Sequence, residues 1–292
     1  MPSLIPTLSG RNLTVDYALN SPTLLRNRIA RLADDLILAP KLLASYGANL
    51  QGGGMLYNVI ASSDMFLATD VEARAPGSEY RRTEGVDPDP QLAVVQDWGA
   101  SFAIADEQII RNAINYLDQQ ITQLSNQLVR KLDTACVAAI EAAIASPNTV
   151  SGHSWSSVQI VGPLSTLTPS NQLPTADISA AKMAGELQEL GSKYNLLIVH
   201  PEEANSLRSA YADKLSLMLE SAGIEMFVSA RLTAGEAWLC DRGNVGIIGF
   251  EVPLRVEVIP DLKRRQKIVQ GYVVPAIGID RPYNLKKITG LA

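Results

Sequence analysis

The chain is poor in the residues from which most catalytic centres are built. Its 292 residues include two histidines, two cysteines and four phenylalanines. His153 and His200 are too few for a histidine-rich metal centre. His200 with Glu203 is half a metal site at best, because no second His or Cys lies at ligand spacing. Cys136 falls inside an apolar periodic stretch and Cys240 beside an apolar run, so both read as buried thiols rather than a disulfide. A basic excess is also missing. Twenty-five Lys and Arg face thirty Asp and Glu, and the net charge of −5 argues against gripping nucleic acid through overall charge. No apolar run of about 18 residues and no leader-like start occur, so the chain reads as soluble and cytoplasmic.

Other signatures are missing as well. Gln51-Gly52-Gly53-Gly54 lacks the Lys-Ser/Thr that completes a phosphate loop and reads as a joint. Gly243, Gly246 and Gly249 stand three apart among strands, which is not the dinucleotide fingerprint. There is no Gly-x-Ser-x-Gly elbow. A Ser–His–Asp set assembled only in space stays open at this level. Neither a catalytic residue, a cofactor nor a metal is expected.

What the chain does have is periodicity. From Asp106 to Ala145, apolar residues recur at Ile110, Ile114, Leu117, Ile121, Leu124, Leu128, Leu132, Ala135, Ala139 and Ile140, steps of mostly three and four. Asp106 is the expected N-cap, and Ser146-Pro147 ends the run. About forty residues make a rod of roughly 60 Å. A compact chain of this length is only about 50 Å across. The rod therefore demands an elongated subunit or neighbours. Sparse charges (Asp118, Arg130, Lys131, Asp133) disfavour a coiled coil.

Residues 1–20 read as an extended arm without a period. A helix is expected from Ser21-Pro22 to before Pro40, then a short turn over Leu42–Tyr46. Met55–Ile60, Met65–Ala68, Gln91–Val95 and Ser101–Ile104 read as strands of one long antiparallel hairpin. Its apolar surface is too small for a core of its own, so it needs a partner. Residues 147–175 read as irregular. An α/β unit follows, with a helix from Ile178 closed by Gly191, a buried strand Asn195–His200 and a Pro201-led helix. Alternation from Val252 to Val258 and a basic turn at Lys263-Arg264-Arg265-Gln266-Lys267 make the end strongly β.

The order of these parts resembles the major capsid proteins of tailed bacteriophages, whose Hong Kong 97-like fold is shared with encapsulins. The resemblance is carried by Ala73-Arg74-Ala75-Pro76-Gly77-Ser78-Glu79-Tyr80, by Asp97-Trp98-Gly99-Ala100-Ser101-Phe102-Ala103-Ile104-Ala105-Asp106-Glu107, by Leu197-Ile198-Val199-His200-Pro201, and by Asp280-Arg281-Pro282 with Ile288-Thr289-Gly290. It implies an α+β capsid fold: an N-terminal arm (1–54), an extended β-hairpin loop (55–105), a spine helix of the peripheral domain (106–149), an α/β axial domain (150–250) and peripheral C-terminal strands (251–292). It implies a structural, non-enzymatic protein forming pentamers and hexamers of an icosahedral shell around double-stranded DNA. It would be assembled in the bacterial host cytoplasm with portal and decoration partners, without a membrane. Family-like sequence begins by residue 55, so scaffolding is expected from a separate protein. An encapsulin-type shell and a soluble α+β enzyme are the other readings.

Charge suggests how such subunits meet. Residues 61–100 carry eight carboxylates against three arginines, and residues 255–287 carry eight basic residues against three carboxylates. Glu79, Glu84, Asp87 and Asp89 are thus expected to dock on a neighbour's Lys263, Arg264, Arg265 and Lys267. Some family members also join a loop Lys to a neighbour's Asn. No Lys lies between Lys41 and Lys131 here, so the loop has no amine nucleophile. Boiled particles should run as one band near 31.4 kDa, and a ladder of pentamers and hexamers would contradict this.

Overall fold

The computed structural model describes residues 15–34, 38–67, 69–83, 85, 88, 90–144, 148–163 and 165–292. Helices α1 (Val15–Leu19) and α2 (Pro22–Asp34) come first, then α3 (Ala39–Leu42) and strand β1 (Leu43–Asn49). Strands β2 (Gly54–Asn58) and β3 (Pro90–Val94) bracket a long loop, and β4 (Trp98–Ala105) leads into α4 (Asp106–Ile110) and α5 (Ile114–Ala143). After β5 (Thr149–Ser151) come α6 (Pro174–Glu186), β6 (Leu196–Val199), α7 (Pro201–Tyr211), α8 (Leu215–Ser221), β7 (Glu225–Val228) and β8 (Glu236–Cys240). Strands β9 (Gly246–Asp261), β10 (Gln266–Gly278) and β11 (Leu285–Thr289) close the chain. It divides into two compact units, one of residues 1–37, 95–132 and 250–275, the other of residues 38–94, 133–249 and 276–292.

The first unit is built on the N-terminal part of α5. Leu117, Ile121 and Leu124, spaced four and three, are buried in one cluster with Val15, Leu19, Leu25, Ile29, Ile104, Val256 and Val269. Each such side chain contributes roughly 1.5–3 kcal/mol. Gly271 of β10 lets the helix approach closely, since a methyl there would lie 3.0 Å from Leu124 Cδ2. β4 pairs antiparallel with β10, from Ala105 opposite Gln266 to Trp98 opposite Val273. Ser101–Ile104 is therefore not the returning strand of a hairpin, as the sequence suggested, but part of this sheet.

The expected forty-residue rod is also corrected. Asn112 adopts φ 50° and separates α4 from α5. Asn tolerates this left-handed conformation better than most residues, and its side chain gains a partner there. Its Oδ1 accepts the Val15 N–H at 2.9 Å, satisfying an orphan donor at the start of α1. That helix occupies part of the stretch read as an extended arm. α5 has 30 residues, about 45 Å, and so is no longer than a compact chain of this size is wide. Nor is Asp106 the N-cap. Ala105 takes that position and Gln108 Oε1 accepts its N–H at 3.2 Å, while Asp106 sits in the first turn.

The second unit holds a five-stranded sheet ordered β5-β11-β8-β6-β7. β6 is buried at every residue, as its unbroken Leu-Leu-Ile-Val run requires. It pairs parallel with β7 and antiparallel with β8. Trp155, Ile178, Ala181, Leu197, Val199, Leu207, Leu239 and Ile288 share its core. The glycines of β9 are packing residues: a methyl on Gly246 would meet Leu43 at 2.9 Å, and one on Gly249 would meet Leu50 at 2.9 Å. Leu43 opens β1, where the sequence suggested only a turn. Met65 ends a single 3₁₀ turn (Ser62–Met65) instead of starting a strand, Phe66 and Leu67 are irregular, and Ala68 lies outside the described residues. Cys136 and Cys240 are buried free thiols, as expected.

Two buried charges carry pH information in this unit. Lys286 of β11 is fully buried, with Nζ donating to Asn148 Oδ1 at 2.7 Å and Gln188 Oε1 at 2.8 Å, and burial lowers its pKa to about 8. Asp133 of α5 accepts the Leu38 N–H at 2.8 Å, capping α3 from a distance. Burial raises its pKa to about 6, although the Leu38 and Ala39 N–H groups and Arg231 act the other way. A pKa raised on folding means the native state holds the proton more tightly. The Asp133 contribution is therefore full below about pH 4 and is lost as pH rises through about 6, on the order of 2–3 kcal/mol. Asp133→Asn keeps an acceptor oxygen and removes the titration. Urea unfolding at pH 4.5, 5.5 and 6.5 should show a smaller pH dependence in the variant, and identical profiles would contradict the assignment.

Candidate functional site

The described residues offer surfaces more than a reaction centre. Asp177, buried, accepts from Trp155 Nε1 at 2.9 Å and from the His153 N–H at 3.0 Å through Oδ2, while Oδ1 lies 2.8 Å from His153 Nδ1. All these contacts clasp the irregular segment after β5 to α6. In the first unit an apolar groove of about 160 Å³ is lined by Ile29, Ser125, Leu128, Leu132, Phe250 and Leu254 among others, and no titratable side chain enters it. His200 Nδ1 accepts the Glu202 N–H at 3.4 Å at the start of α7 and lies 3.5 Å from Glu203 Oε2.

The ribbon of β2 and β3 is the most unusual surface of the second unit. Its register sets Met55 opposite Ala93, Leu56 opposite Leu92 and Gly54 opposite Val94. Period two then sends alternate pairs to opposite faces. Met55 and Ala93 are buried; Leu56 and Leu92 are 73% and 61% exposed, and Val94 is exposed beside them. Both faces are thus apolar, and among the described residues only one is covered. The loop between the strands carries Val71 and Tyr80, also exposed. It is held by local clips: Arg81 to Glu72 at 2.7 Å, Arg74 Nη1 to Ser78 O at 2.6 Å, and the Arg74 guanidinium 4.6 Å from the Tyr80 ring centre.

The predicted contact residues fare unequally. Glu79 is exposed in the loop, whereas Glu84, Asp87 and Asp89 lie outside the described residues. The basic four do gather at the β9–β10 turn. Asp261 Oδ1 accepts the Lys263 and Arg264 N–H groups, and Arg265 adopts φ 49°. Lys267, however, bonds to Asp16 at 3.0 Å and Asn20 at 3.3 Å, and Arg265 lies 4.0 Å from Asp106. Beyond the turn the basic excess shrinks further. Arg255 pairs with Glu257, Arg281 sits beside Asp280, Lys287 pairs with Glu236, and Lys286 is buried. Lys263 and Arg264 are left exposed with no ion pair among the described residues. The apolar ribbon face is what counting charges overlooked; its signal was Leu56, Leu92 and Val94 alternating in step with Met55 and Ala93.

A paired ribbon, a long helix packed on a sheet, and a five-stranded sheet with its helices are the parts of the Hong Kong 97-like capsid fold. The family model described as phage capsid protein matches residues 88–288, and the chain belongs to that family. No curated protein sequence matches it. Among solved structures, the virus-like particle from Pyrococcus furiosus is similar at a TM-score of 0.61 and 11% identity, over 90% of this chain and 97% of that one. Mycobacterium phage Bobi gives 0.59 and 12%, over 91% and 98%. The capsid of cyanophage P-SCSP1u gives 0.61 and 12%, over 98% and 93%. At such identities the likeness shows the fold; the family match shows a structural capsid protein.

The two ribbon faces should respond differently to mutation in the isolated subunit. Met55→Ala opens a cavity and should cost about 2–4 kcal/mol. Leu56→Ser with Leu92→Ser should stay within about 0.5 kcal/mol per site, because neither side chain is covered. Urea unfolding measures both, and a large loss in the double variant would mean that this face is packed within the chain.

Proposed function

We propose that this chain is the repeated subunit of an icosahedral phage head, assembling as pentamers and hexamers around double-stranded DNA. The observation that carries the proposal is the ribbon with an uncovered apolar face, in a chain of the phage capsid family. A two-stranded ribbon is marginal by itself. Its Leu56–Leu92 face gains burial once a second copy lies against it. In this reading residues 1–54 are the N-terminal arm, 55–105 the extended loop, 106–149 the spine, 150–250 the axial domain and 251–292 the peripheral strands. The pairing of β4 with β10 favours ending the extended loop at β3. The role is structural and not enzymatic. Scaffolding, portal and any decoration proteins are separate chains, and assembly takes place in the host cytoplasm.

The acidic loop guides register by meeting the basic turn of a neighbour. Exposed pairs contribute only about 0–1 kcal/mol each, but complementary charge accelerates and orients encounter. Lys263 and Arg264 are the residues free for this contact, while Lys267 is committed to α1. Lys263→Glu with Arg264→Glu should leave the melting temperature unchanged and slow assembly followed by light scattering. Raised salt should slow the wild type too. Assembly of the double variant at the wild-type rate would refute the docking. DNA in the finished particles that resists nuclease distinguishes a phage head from an encapsulin-type shell, which holds protein cargo.

A further inference from the structure

The geometry points to a divalent transition-metal site at the corner between β6 and α7, held by His200 Nδ1, Glu203 Oε2 and the carboxylate of Glu202. β6 ends at Val199 and delivers His200 to the N-cap position of α7; Pro201 then fixes the first turn. N-cap and N3 side chains face each other across such a turn, the arrangement used by capping boxes. Glu203, at N3, does not reach back to the backbone of the cap. Its Oε1 instead accepts the Gly235 N–H at 2.6 Å, from the turn before β8.

That contact locks the carboxylate and leaves its second oxygen stranded. Glu203 is only 3% exposed, and Oε2 is fully buried without a hydrogen-bond partner among the described residues. His200 Nδ1 lies 3.5 Å away, and its single lone pair is held by the Glu202 N–H through a long contact of 3.4 Å that an incoming ion would replace. Glu203 thus keeps one buried carboxylate oxygen that no donor reaches among the described residues. An unsatisfied buried group of this kind destabilises the fold, and more so if charged. A cation bound by this oxygen and by Nδ1 supplies the missing partner.

The spacing suits a metal. Two ligands each about 2.1 Å from a tetrahedral ion stand roughly 3.5 Å apart. The ligand atoms of His200, Glu202 and Glu203 all lie within 4.8 Å of one another, and Glu202 is exposed, so the fourth position opens toward water. One imidazole with two carboxylates selects zinc-class ions over calcium or magnesium, which prefer oxygen-only shells. The helix N-terminus opposes a cation with about half a positive charge, and two carboxylates outweigh that. A metal here would join α7 to the turn at Gly235 through Glu203 and stiffen this corner of the second unit.

The test uses the full chain, stripped with chelator and dialysed, with Zn²⁺ alone as the probe. Calorimetry should give a single Zn²⁺ per chain, and the melting temperature should rise with Zn²⁺ concentration. Co²⁺ in its place should give the visible absorption of a four-coordinate site. Glu202→Gln, at an exposed ligand, should weaken binding about tenfold or more without unfolding the chain. His200→Asn keeps a helix-capping side chain and should abolish binding. No saturable Zn²⁺ uptake, or wild-type uptake in both variants, would overturn the proposal. So would a melting temperature that does not respond to Zn²⁺.

Discussion

Burial of one face of α5 is the constraint on which the rest of the structure depends. Leu117, Ile121 and Leu124 hold the core of the first unit, and Gly271 exists in β10 to let that face come close. Further along, Asp133 satisfies the backbone at Leu38, while Cys136 and Ile140 are fully buried in the same helical stripe. A single periodic stretch therefore organises apolar packing at one end and backbone hydrogen bonding at the other. The break at Asn112 belongs to the same economy of parts. It ends α4, and its side chain secures the first N–H of α1.

The ribbon shows the opposite condition, a surface that the described residues leave uncovered. Scattered exposed apolar residues are ordinary, but Leu56, Leu92 and Val94 lie together on one regular face. In a monomer such a face is an aggregation liability. In the shell proposed for this chain, a neighbouring copy would cover such a face, and one modest contact would recur from subunit to subunit. This is why membership of the capsid family and the ribbon geometry point to the same role.

Much of this was legible in the sequence, and the exceptions are instructive. The buried stripe of α5, the unbroken strand Leu196–Val199 and the Pro201-led helix followed from period and capping alone. The partner of β4 did not, because pairing with β10 is set across more than 150 residues and leaves no local mark. Asn112 was missed for another reason: the apolar period runs straight through it, and only tertiary contact with Val15 reveals the break. Lys286 looked like surface charge and proved to be fully buried between amide oxygens. The candidate contact surface was half legible. Charge counting found the turn at Lys263 and Arg264, but it could not see that Lys267 is already taken by Asp16 and Asn20.

Negative-stain electron microscopy of the purified chain tests the central claim most directly. The account predicts closed, hollow particles of uniform diameter, and a Leu56→Asp, Leu92→Asp variant that folds but yields none. Uniform small particles of single-subunit size, unchanged by scaffold or concentration, would contradict it.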